Sequence, residues 1–393
     1  MKLVSLWRPG AAARMLGCAL GILFGAVGAR AATLYVWTNS PSMDPPYTNG
    51  WASAAHDIQS AIDQAANGDT VWVTNGTYVL TNQINIVGKY VTLQSVNGQD
   101  ATIIDGNYPL ATNRCLYVNT AGTVVDGFTI QNGCPAASES AKHGGGIYLY
   151  VNGGIVRNCT VINCRTFPEG GTVTGNGGGI ALGAESDRGS GIIEHCVITG
   201  NVARIGGGIG FFFRACTVQW CRVEGNLAHA GGLRSGGIEA RMQYAGSVIQ
   251  NCSIVGNKGP TGGGISLTRS GGSTLNLTTV RNCIVASNVA DGVSTYGQYG
   301  GGGIHINAGG GTVENCLIYS NVCIGYLPWG GGLMIDKETA ATVRNCTIVQ
   351  NEADQGGGIY LNINCTAQVV NVAMDLNRAR SGAADSSTSS CRE

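Results

Sequence analysis

Residues 343–361 read VRNCTIVQNEADQGGGIYL, and the two halves of this stretch recur along most of the chain. The first half, Val-x-Asn-Cys-x-Ile-x-x-Asn, and the second, Gly-Gly-Gly-Ile-x-Leu, both alternate apolar residues with others. Alternation with a period of two is typical of β-strands, whereas a helix would need about ten or more residues of 3.6-residue periodicity. We therefore predict short strands separated by Gly and Asn corners, because both residues tolerate positive φ.

The copies of both halves follow one another along the chain. The Gly-rich half occupies residues 144–149, 177–182, 206–211, 262–267, 301–306, 330–335 and 356–361, with a degenerate copy at 236–240. The Cys-containing half occupies residues 156–164, 193–201, 218–226, 249–257, 280–288, 313–321 and 343–351. Its cysteines, 25 to 37 residues apart, are Cys159, Cys196, Cys221, Cys252, Cys283, Cys316 and Cys346. A near-constant unit with variable loops indicates a solenoid.

Stacked coils would place each strand in parallel register on its copy in the next coil, about 4.8 Å away. Equivalent asparagines could then hydrogen-bond along the stack in two ladders. The motif set is Asn158, Asn251, Asn282, Asn315, Asn345 and Asn371. The corner set is Asn163, Asn201, Asn226, Asn257, Asn288, Asn321, Asn351 and Asn377. We predict an all-β fold, a single right-handed parallel β-helix solenoid, since right-handed crossovers dominate.

These repeats resemble the bacterial right-handed parallel β-helix family, with its pectin-lyase-like fold and the related polymorphic outer-membrane protein repeats. The matching units cover most of residues 124–377, and the segment from Trp51 to Tyr78 is similar to the entry cap of that superfamily. The resemblance implies the fold and says little about activity.

The N-terminal segment predicts a short capping helix over the first coil. Ala55, Ile58, Ile62 and Ala65 form one apolar stripe at helical spacing. We expect Ser53 to be the N-cap and Gly68 to end the helix. Such a helix would cover a strand edge that otherwise invites aggregation. We predict the early strands at residues 71–73, 77–79, 84–86, 91–93 and 103–104.

The chain divides into four predicted segments. Residues 1–31 are interpreted as a signal peptide, with a basic start, an apolar run at 15–27 and a small-x-small site at 29–31. Residues 32–67 hold the N-terminal strand and capping helix, and residues 68–377 form the β-helix. Residues 378–393 are expected to be a disordered tail of a truncated chain, because the repeat fails after Gly382 without a cap. The alternative is that a partner or a second copy covers this end.

Charge and export signals limit the function classes. The 23 basic and 23 acidic residues become 19 and 23 once the signal peptide is removed, a net charge of −4. A nucleic-acid binder needs a basic stripe, so we expect no nucleic-acid partner. We expect an exported protein, extracellular, at the cell surface or periplasmic, with no transmembrane span in the mature chain. The oligomeric state stays open.

Catalytic sets known from enzymes of the fold are missing from the sequence. The Asn-Thr-Asp, Asp-Asp, Gly-His-Gly and Arg-Ile-Lys strings of galacturonan hydrolases do not occur. The weak candidates are Asp105 and Asp126, which stand 21 residues apart before glycines and could stack in successive coils. The alternative is that both only accept backbone bonds at turns. The histidines are scattered without zinc spacing, so we predict no metal and no cofactor.

The cysteines are expected to stay reduced, although the chain is exported. Equivalent thiols in stacked coils point in parallel, which disfavours the twist of about 90° that a disulfide requires. We therefore predict that the seven motif cysteines are small, buried, free thiols. The pairing of the remaining cysteines stays open.

Two consecutive variable loops carry the aromatic residues most suited to a ligand. Tyr296 and Tyr299 lie in one loop, and Tyr326 and Trp329 lie in the next. Successive coils should bring them together, beside Asp291, as a surface for stacking on sugars; the alternative is that they only cover the coil edge. We predict an exported scaffold presenting a binding or adhesion surface toward a polysaccharide or cell-surface component. The alternative is a polysaccharide lyase or glycoside hydrolase of the same fold.

Overall fold

The structure is a computed structural model of the chain. It describes residues 31–136, 142–150, 153–183, 191–212, 216–229, 234–241, 247–268, 277–292, 299–307, 309–325, 328–336, 339–362, 364–381 and 386–387. The predicted signal peptide lies outside these ranges, except for Ala31. Within the ranges, no helix has both the length and the apolar character that crossing a membrane requires.

Each coil begins with a strand of sheet 1 and continues into sheet 2. Sheet 1 contains Thr33–Val36, Thr70–Val73, Thr92–Ser95, Thr123–Asp126, Gly154–Arg157, Gly191–Glu194, Cys216–Gln219, Val248–Gln250, Thr279–Arg281, Gly311–Glu314, Ala341–Arg344 and Gln368–Val370. Sheet 2 contains Gly76–Val79, Thr102–Asp105, Thr129–Gln131, Thr160–Ile162, Val197–Thr199, Arg222–Glu224, Ser253–Val255, Ile284–Ala286, Leu317–Tyr319, Thr347–Val349 and Ala373–Asp375. All described pairings in both sheets are parallel.

The second part of each coil supplies two further sheets. Sheet 3 is made of two-residue strands: Val202–Ala203, Leu227–Ala228, Lys258–Gly259, Val289–Ala290, Val322–Cys323, Glu352–Ala353 and Arg378–Ala379. Sheet 4 contains Ile84–Val87, Leu116–Asn119, Ile147–Leu149, Ile180–Leu182, Ile209–Phe212, Ile238–Arg241, Ile265–Thr268, Ile304–Asn307, Leu333–Ile335, Ile359–Leu361 and Ser386–Ser387. A separate pair, Tyr299–Gly300 with Pro328–Trp329, is also parallel.

The four sheets form one parallel β-helix, which confirms the predicted fold class. Each strand pairs with the equivalent strand of the next coil, so equivalent residues are neighbours: Val156 pairs with Ile193, which pairs with Val218. These side chains are fully buried and belong to one continuous apolar core. The period of two in the sequence sends alternate residues into that core and onto the outer surface.

The corner asparagines form the predicted ladder inside the coils. The Asn226 Nδ2 donates to Asn257 Oδ1 at 2.9 Å, and Asn257 Nδ2 donates to Asn288 Oδ1 at 3.0 Å. The ladder continues through Asn321 and Asn351. Each rung also satisfies a backbone carbonyl and a backbone N–H, so the turn leaves no buried polar group there without a partner.

One member of the predicted corner set is wrong. Asn163 lies in the turn before the ladder, with a φ of 54°, where the next coil has Gly200. The ladder position in that coil is held by Cys164, whose backbone N–H donates to Asn201 Oδ1 at 2.9 Å. The other predicted set lies at the surface and forms two bonded pairs: Asn282 Nδ2 donates to Asn251 Oδ1 at 3.2 Å, and Asn371 Nδ2 donates to Asn345 Oδ1 at 2.8 Å. Asn158 Nδ2 instead donates to Asp126 Oδ1.

The seven motif cysteines are buried free thiols, as predicted. Each Sγ donates to a carbonyl of its own strand and contacts the carbonyl of the preceding coil; Cys196 Sγ lies 3.2 Å from Glu194 O and 3.6 Å from Val156 O. Burial, and then the neighbouring thiols of Cys159 and Cys221, raise the pKa of Cys196. The thiols therefore act as small, protonated core residues that bond to backbone carbonyls along the stack.

The predicted capping helix is present, but its ends differ from the prediction. The helix spans Ile58–Gln64 and buries Ile58, Ala61 and Ile62 against the first coil. Its N-cap is Asp57, whose carboxylate accepts the Ser60 N–H at 2.8 Å, because Ser53 belongs to a separate 3-10 turn, Trp51–Ser53. The C-cap is Ala65, not Gly68.

Near the other end, the coils extend past the predicted boundary at residue 377. Arg378–Ala379 pairs with Glu352–Ala353, and Ser386–Ser387 pairs with Tyr360 and Leu361. The rest of the predicted tail, residues 382–385 and 388–393, lies outside the described residues.

Candidate functional site

The two candidate carboxylates, Asp105 and Asp126, do not stack. Asp105 lies in sheet 2, in register with Gln131, whereas Asp126 lies in sheet 1, in register with Arg157. The 21 residues between them do not amount to one full coil, so they occupy different faces.

Both carboxylates accept hydrogen bonds from neighbouring residues. Asp105 accepts from Gln131 Nε2 at 2.7 Å and from Asn107 N at 2.8 Å. Asp126 accepts from Arg157 Nε at 2.9 Å and from Asn158 Nδ2 at 2.8 Å. The alternative, in which both residues accept backbone bonds at turns, describes Asp105, through Asn107 N, whereas both of these donors to Asp126 are side chains. Paired acids for glycoside hydrolysis need a common cleft, which this arrangement does not provide.

The predicted aromatic patch is only partly described. Tyr296 and Tyr326 lie outside the described residues, and of Tyr299 only the backbone is described. That backbone pairs with Pro328, so the two loops are adjacent in successive coils. Trp329 is half-buried and stacks on Tyr360, with ring centroids 4.9 Å apart and an interplanar angle of 16°. A role of this patch in ligand binding stays a prediction.

A different aromatic pair lies at the edge where sheet 1 turns into sheet 2. At this turn the backbone is left-handed in coil after coil, with φ near 53°, and six coils place Asn there: Asn158, Asn251, Asn282, Asn315, Asn345 and Asn371. Two consecutive coils instead carry His195, with φ of 53°, and Trp220, with φ of 50°. Their rings stack with centroids 5.1 Å apart and an interplanar angle of 4°.

This pair, the His195–Trp220 platform, is exposed and conformationally costly. Trp220 keeps 49% of its surface exposed. A left-handed conformation costs a bulky residue such as Trp220 about 1–2 kcal/mol, whereas Asn tolerates it and His adopts it more often than most residues. Offset aromatic stacking contributes about 0.5–1.5 kcal/mol. The stacking therefore offsets the backbone cost at best, and burial adds little. Strained residues of this kind are a known mark of functional sites.

A row of polar side chains runs along the outside of sheet 1 beside the platform. Its central members are Glu194, Gln219, Gln250 and Arg281, which occupy equivalent positions in successive coils. Gln219 Nε2 donates to Glu194 Oε2 at 2.8 Å, Gln250 Nε2 donates to Gln219 Oε1 at 2.7 Å, and Arg281 Nε donates to Gln250 Oε1 at 2.8 Å. The row holds planar donors and acceptors in fixed positions about 4.8 Å apart.

The N-terminal end of the same row is aromatic. Tyr35 pairs in register with Trp72, which pairs with Gln94. Tyr35 packs edge-on against Trp51 and Trp72, and Trp72 is 39% exposed. One outer face therefore combines aromatic rings with ordered amides.

The platform could have been predicted from the sequence, because two copies of the repeat depart from the motif there. His195 and Trp220 occupy the third position of Val-x-Asn-Cys, where the other Cys-containing copies have Asn. A departure from Asn at a turn that needs positive φ is informative, because few other residues accept that conformation without cost.

The coils that carry His195 and Trp220 lie within a match to a known protein family. Residues 114–301 match the family model described as "Right handed beta helix region". Comparison with curated proteins gives no match. Within the described part of this β-helix, no group of three or more His, Cys, Asp or Glu side chains is placed to hold a metal ion.

Three solved structures are similar to the β-helix. Pectate lyase Pel9A is 14% identical, with a TM-score of 0.43, and the match covers 90% of this chain and 79% of the lyase. Pectin methylesterase from Aspergillus niger in a penultimately deglycosylated form is 14% identical, with a TM-score of 0.38 and 93% of each chain covered. Its deglycosylated form is 13% identical, with a TM-score of 0.36 and the same coverage.

Proposed function

We propose that this chain is an exported β-helix scaffold that binds carbohydrate on the outer face of sheet 1, with the His195–Trp220 platform as its stacking surface. The observation that carries the proposal is the exposed, stacked pair at a turn where Asn is the favourable residue. Nothing in the packing of the core requires either ring, because both project from the outer edge of the coil.

Carbohydrate fits the chemistry of this face better than a protein or a nucleic acid. A sugar ring has an apolar face, which stacks on an aromatic ring, and hydroxyl groups at its edge, which need donors and acceptors. Trp220 supplies the ring, and Gln219, Gln250 and Glu194 supply amide and carboxylate groups in the adjoining row. Sites that orient a ligand commonly combine apolar rings with a few fixed polar groups in this way.

The alternative of a polysaccharide lyase or glycoside hydrolase has less support. Asp105 and Asp126 lie on different sheets, and both carboxylates already accept two or more hydrogen bonds. The other buried acids among the described residues are Asp69, Glu239 and Asp336. Asp69 accepts from the backbone N–H groups of Ala32 and Ala66. Glu239 lies in a strand of sheet 4, and Asp336 directly follows the sheet 4 strand three coils further on. That separation is about 14 Å at 4.8 Å per coil, which exceeds the separation of about 5–9.5 Å in glycosidases.

The test uses the full mature chain. A glycan array identifies a ligand, and calorimetry then compares the original chain with Trp220→Asn. Because Asn is the residue of the other coils, this variant removes the ring while keeping the turn. We expect binding to weaken at least tenfold, which corresponds to about 1.4 kcal/mol.

Trp329→Ala is the matched control, since it removes an indole from the aromatic patch in the loops. We expect it to leave affinity within about twofold, a difference near 0.4 kcal/mol. The reverse result, in which Trp329→Ala abolishes binding and Trp220→Asn does not, would move the binding surface to the loops. Release of reducing sugar by the purified chain would support the enzyme alternative instead.

A further inference from the structure

The outer face of sheet 4 carries polar residues that are buried rather than exposed. In each strand the first and third residues point into the core, as Ile265 and Leu267 do, so the residue between them points outward. In consecutive coils this middle residue is Glu239, Ser266 and His305, and all three side chains are fully buried.

Ser266 and His305 are direct neighbours across two parallel strands. Their Cα atoms are register partners, about 4.8 Å apart, and both side chains leave the same face of the sheet. His305 Nε2 lies 3.9 Å from Asp336 Oδ2. The three residues therefore follow the order hydroxyl, imidazole, carboxylate.

Asp336 is held in place by two amides. Asn307 Nδ2 donates to Asp336 Oδ2 at 2.7 Å, and Asn362 Nδ2 donates to Asp336 Oδ1 at 2.7 Å. Glu239 is occupied elsewhere, because it accepts from Thr268 Oγ1 at 2.6 Å and from Ser235 N at 3.1 Å. The carboxylate that faces the imidazole is thus Asp336.

The hydroxyl and the imidazole have no hydrogen-bond partner. Ser266 Oγ and both ring nitrogens of His305 are buried without one. A buried polar atom that makes no hydrogen bond is destabilising, so it calls for a reason other than stability. A catalytic role is one such reason, and hydrogen bonds between catalytic groups are often long before substrate binds.

We propose that Ser266, His305 and Asp336 form an acyl-transfer site that hydrolyses short-chain carboxylic esters. Ser266 Oγ attacks the ester carbonyl while His305 takes its proton, and the C–O bond to the alcohol breaks as His305 returns that proton to the leaving oxygen. Water, deprotonated by His305, then attacks the acyl-serine, which releases the carboxylic acid and restores the serine hydroxyl. Asp336 orients the imidazole as a positioning residue.

The surroundings of the site keep His305 neutral and restrict the size of the acyl group. Burial lowers the pKa of His305, opposed in part by the Asp336 carboxylate, so the imidazole is neutral and can accept a proton at pH 7. The Tyr299–Gly300 strand lies over the next residue in the row, Met334, so closely that a Cβ on Gly300 would clash with Met334 Sδ. Because this layer is close and Ser266 and His305 are fully buried, we expect the site to accept a small acyl group rather than a long acyl chain.

The first test is covalent labelling of the native full chain with a small fluorophosphonate, followed by peptide mapping. We expect one adduct, on Ser266, and at least a hundredfold slower labelling in His305→Gln. Labelling should persist below pH 6.5, because the imidazole stays neutral to lower pH than a free histidine. An unmodified Ser266, or equal labelling rates with and without His305, would overturn the proposal.

The second test has two measurements. Hydrolysis of p-nitrophenyl acetate and of p-nitrophenyl octanoate is followed for the original chain and for Ser266→Ala, and the midpoint of thermal unfolding is measured for both proteins. We expect acetate to be cleaved at least tenfold faster than octanoate, and Ser266→Ala to lose this activity with an unchanged or higher midpoint. A structural serine would lower the midpoint when removed, and that result would contradict the assignment. Ser235→Ala, which removes a bonded serine of the same face, is the control for stability. The outcome is independent of glycan binding, which uses sheet 1.

Discussion

The turn between sheets 1 and 2 has one position whose residue type differs between coils: most coils have Asn there, and two have His195 and Trp220. The turn needs a left-handed residue, and Asn meets that need in six coils because its side chain tolerates positive φ. Trp220 adopts the same backbone without that preference, whereas His195 is of a residue type that is itself enriched at positive φ. Stability measurements can show whether the fold gains from the indole.

We predict that Trp220→Asn does not destabilise the chain, whereas Asn315→Trp destabilises it by about 1 kcal/mol. Asn315 is exposed and lies between Asn282 and Asn345, so a new indole there has no aromatic neighbour. Urea unfolding followed by circular dichroism measures both variants. A loss of more than about 1 kcal/mol in Trp220→Asn would mean that the stack serves stability after all.

At the scale of elements, the corner asparagines hold one coil to the next. Asn257 Nδ2 donates to Val223 O at 2.8 Å and to Asn288 Oδ1 at 3.0 Å. Its Oδ1 accepts from Asn226 N at 3.0 Å and from Asn226 Nδ2 at 2.9 Å. One side chain thus satisfies two buried backbone groups as well as its neighbours in the ladder.

We predict that Asn257→Ala destabilises the chain by about 3 kcal/mol or more, since it leaves several buried polar groups without partners, at about 1–3 kcal/mol each. Asn282→Ala is the matched control, because Asn282 is exposed and its side chain makes one bond to Asn251. We expect this control to lose only about 1 kcal/mol. If both variants lost the same free energy of unfolding in urea, the burial of the corner asparagines would not explain their contribution to stability.

At the scale of the whole molecule, the stacked thiols stay buried only while the coils keep their native packing. The hydrogen bond with Cys283, followed by burial, raises the pKa of Cys316 to about 12, and burial raises the pKa of Cys196. The thiolate is the reactive form of cysteine. All seven motif thiols are also buried, so their reaction with a reagent requires that the coils open.

We predict that the seven motif cysteines do not react with Ellman's reagent in the native chain and that all seven titrate in denaturant without reductant. Peptide mapping after alkylation in denaturant identifies them individually. Disulfides between motif cysteines of neighbouring coils would contradict the prediction. Rapid reaction in the native state would show that the coils open more readily than their burial suggests.

Sequence patterns determined the coil itself, because the features that build it are local and repeated. The alternation in Val-x-Asn-Cys-x-Ile fixes which side chains enter the core, and the spacing of the copies fixes which residues stack. The strands, the corner ladder from Asn201 onward and the free thiols were predictable for this reason. The limits of the capping helix were less so, since Asp57 and Ser53 are both plausible N-caps and only packing selects between them.

Only the tertiary structure decided which side chains meet outside the core. Period-two alternation predicts that Ser266 and His305 face solvent, yet both are fully buried, and the backbone of Gly262 and Gly301 lies against them. The same alternation cannot show that Asp105 and Asp126 lie on different sheets, because this depends on where each coil turns. Local periodicity specifies the direction of a side chain, whereas its neighbours and its burial follow from contacts between residues about 25–40 positions apart.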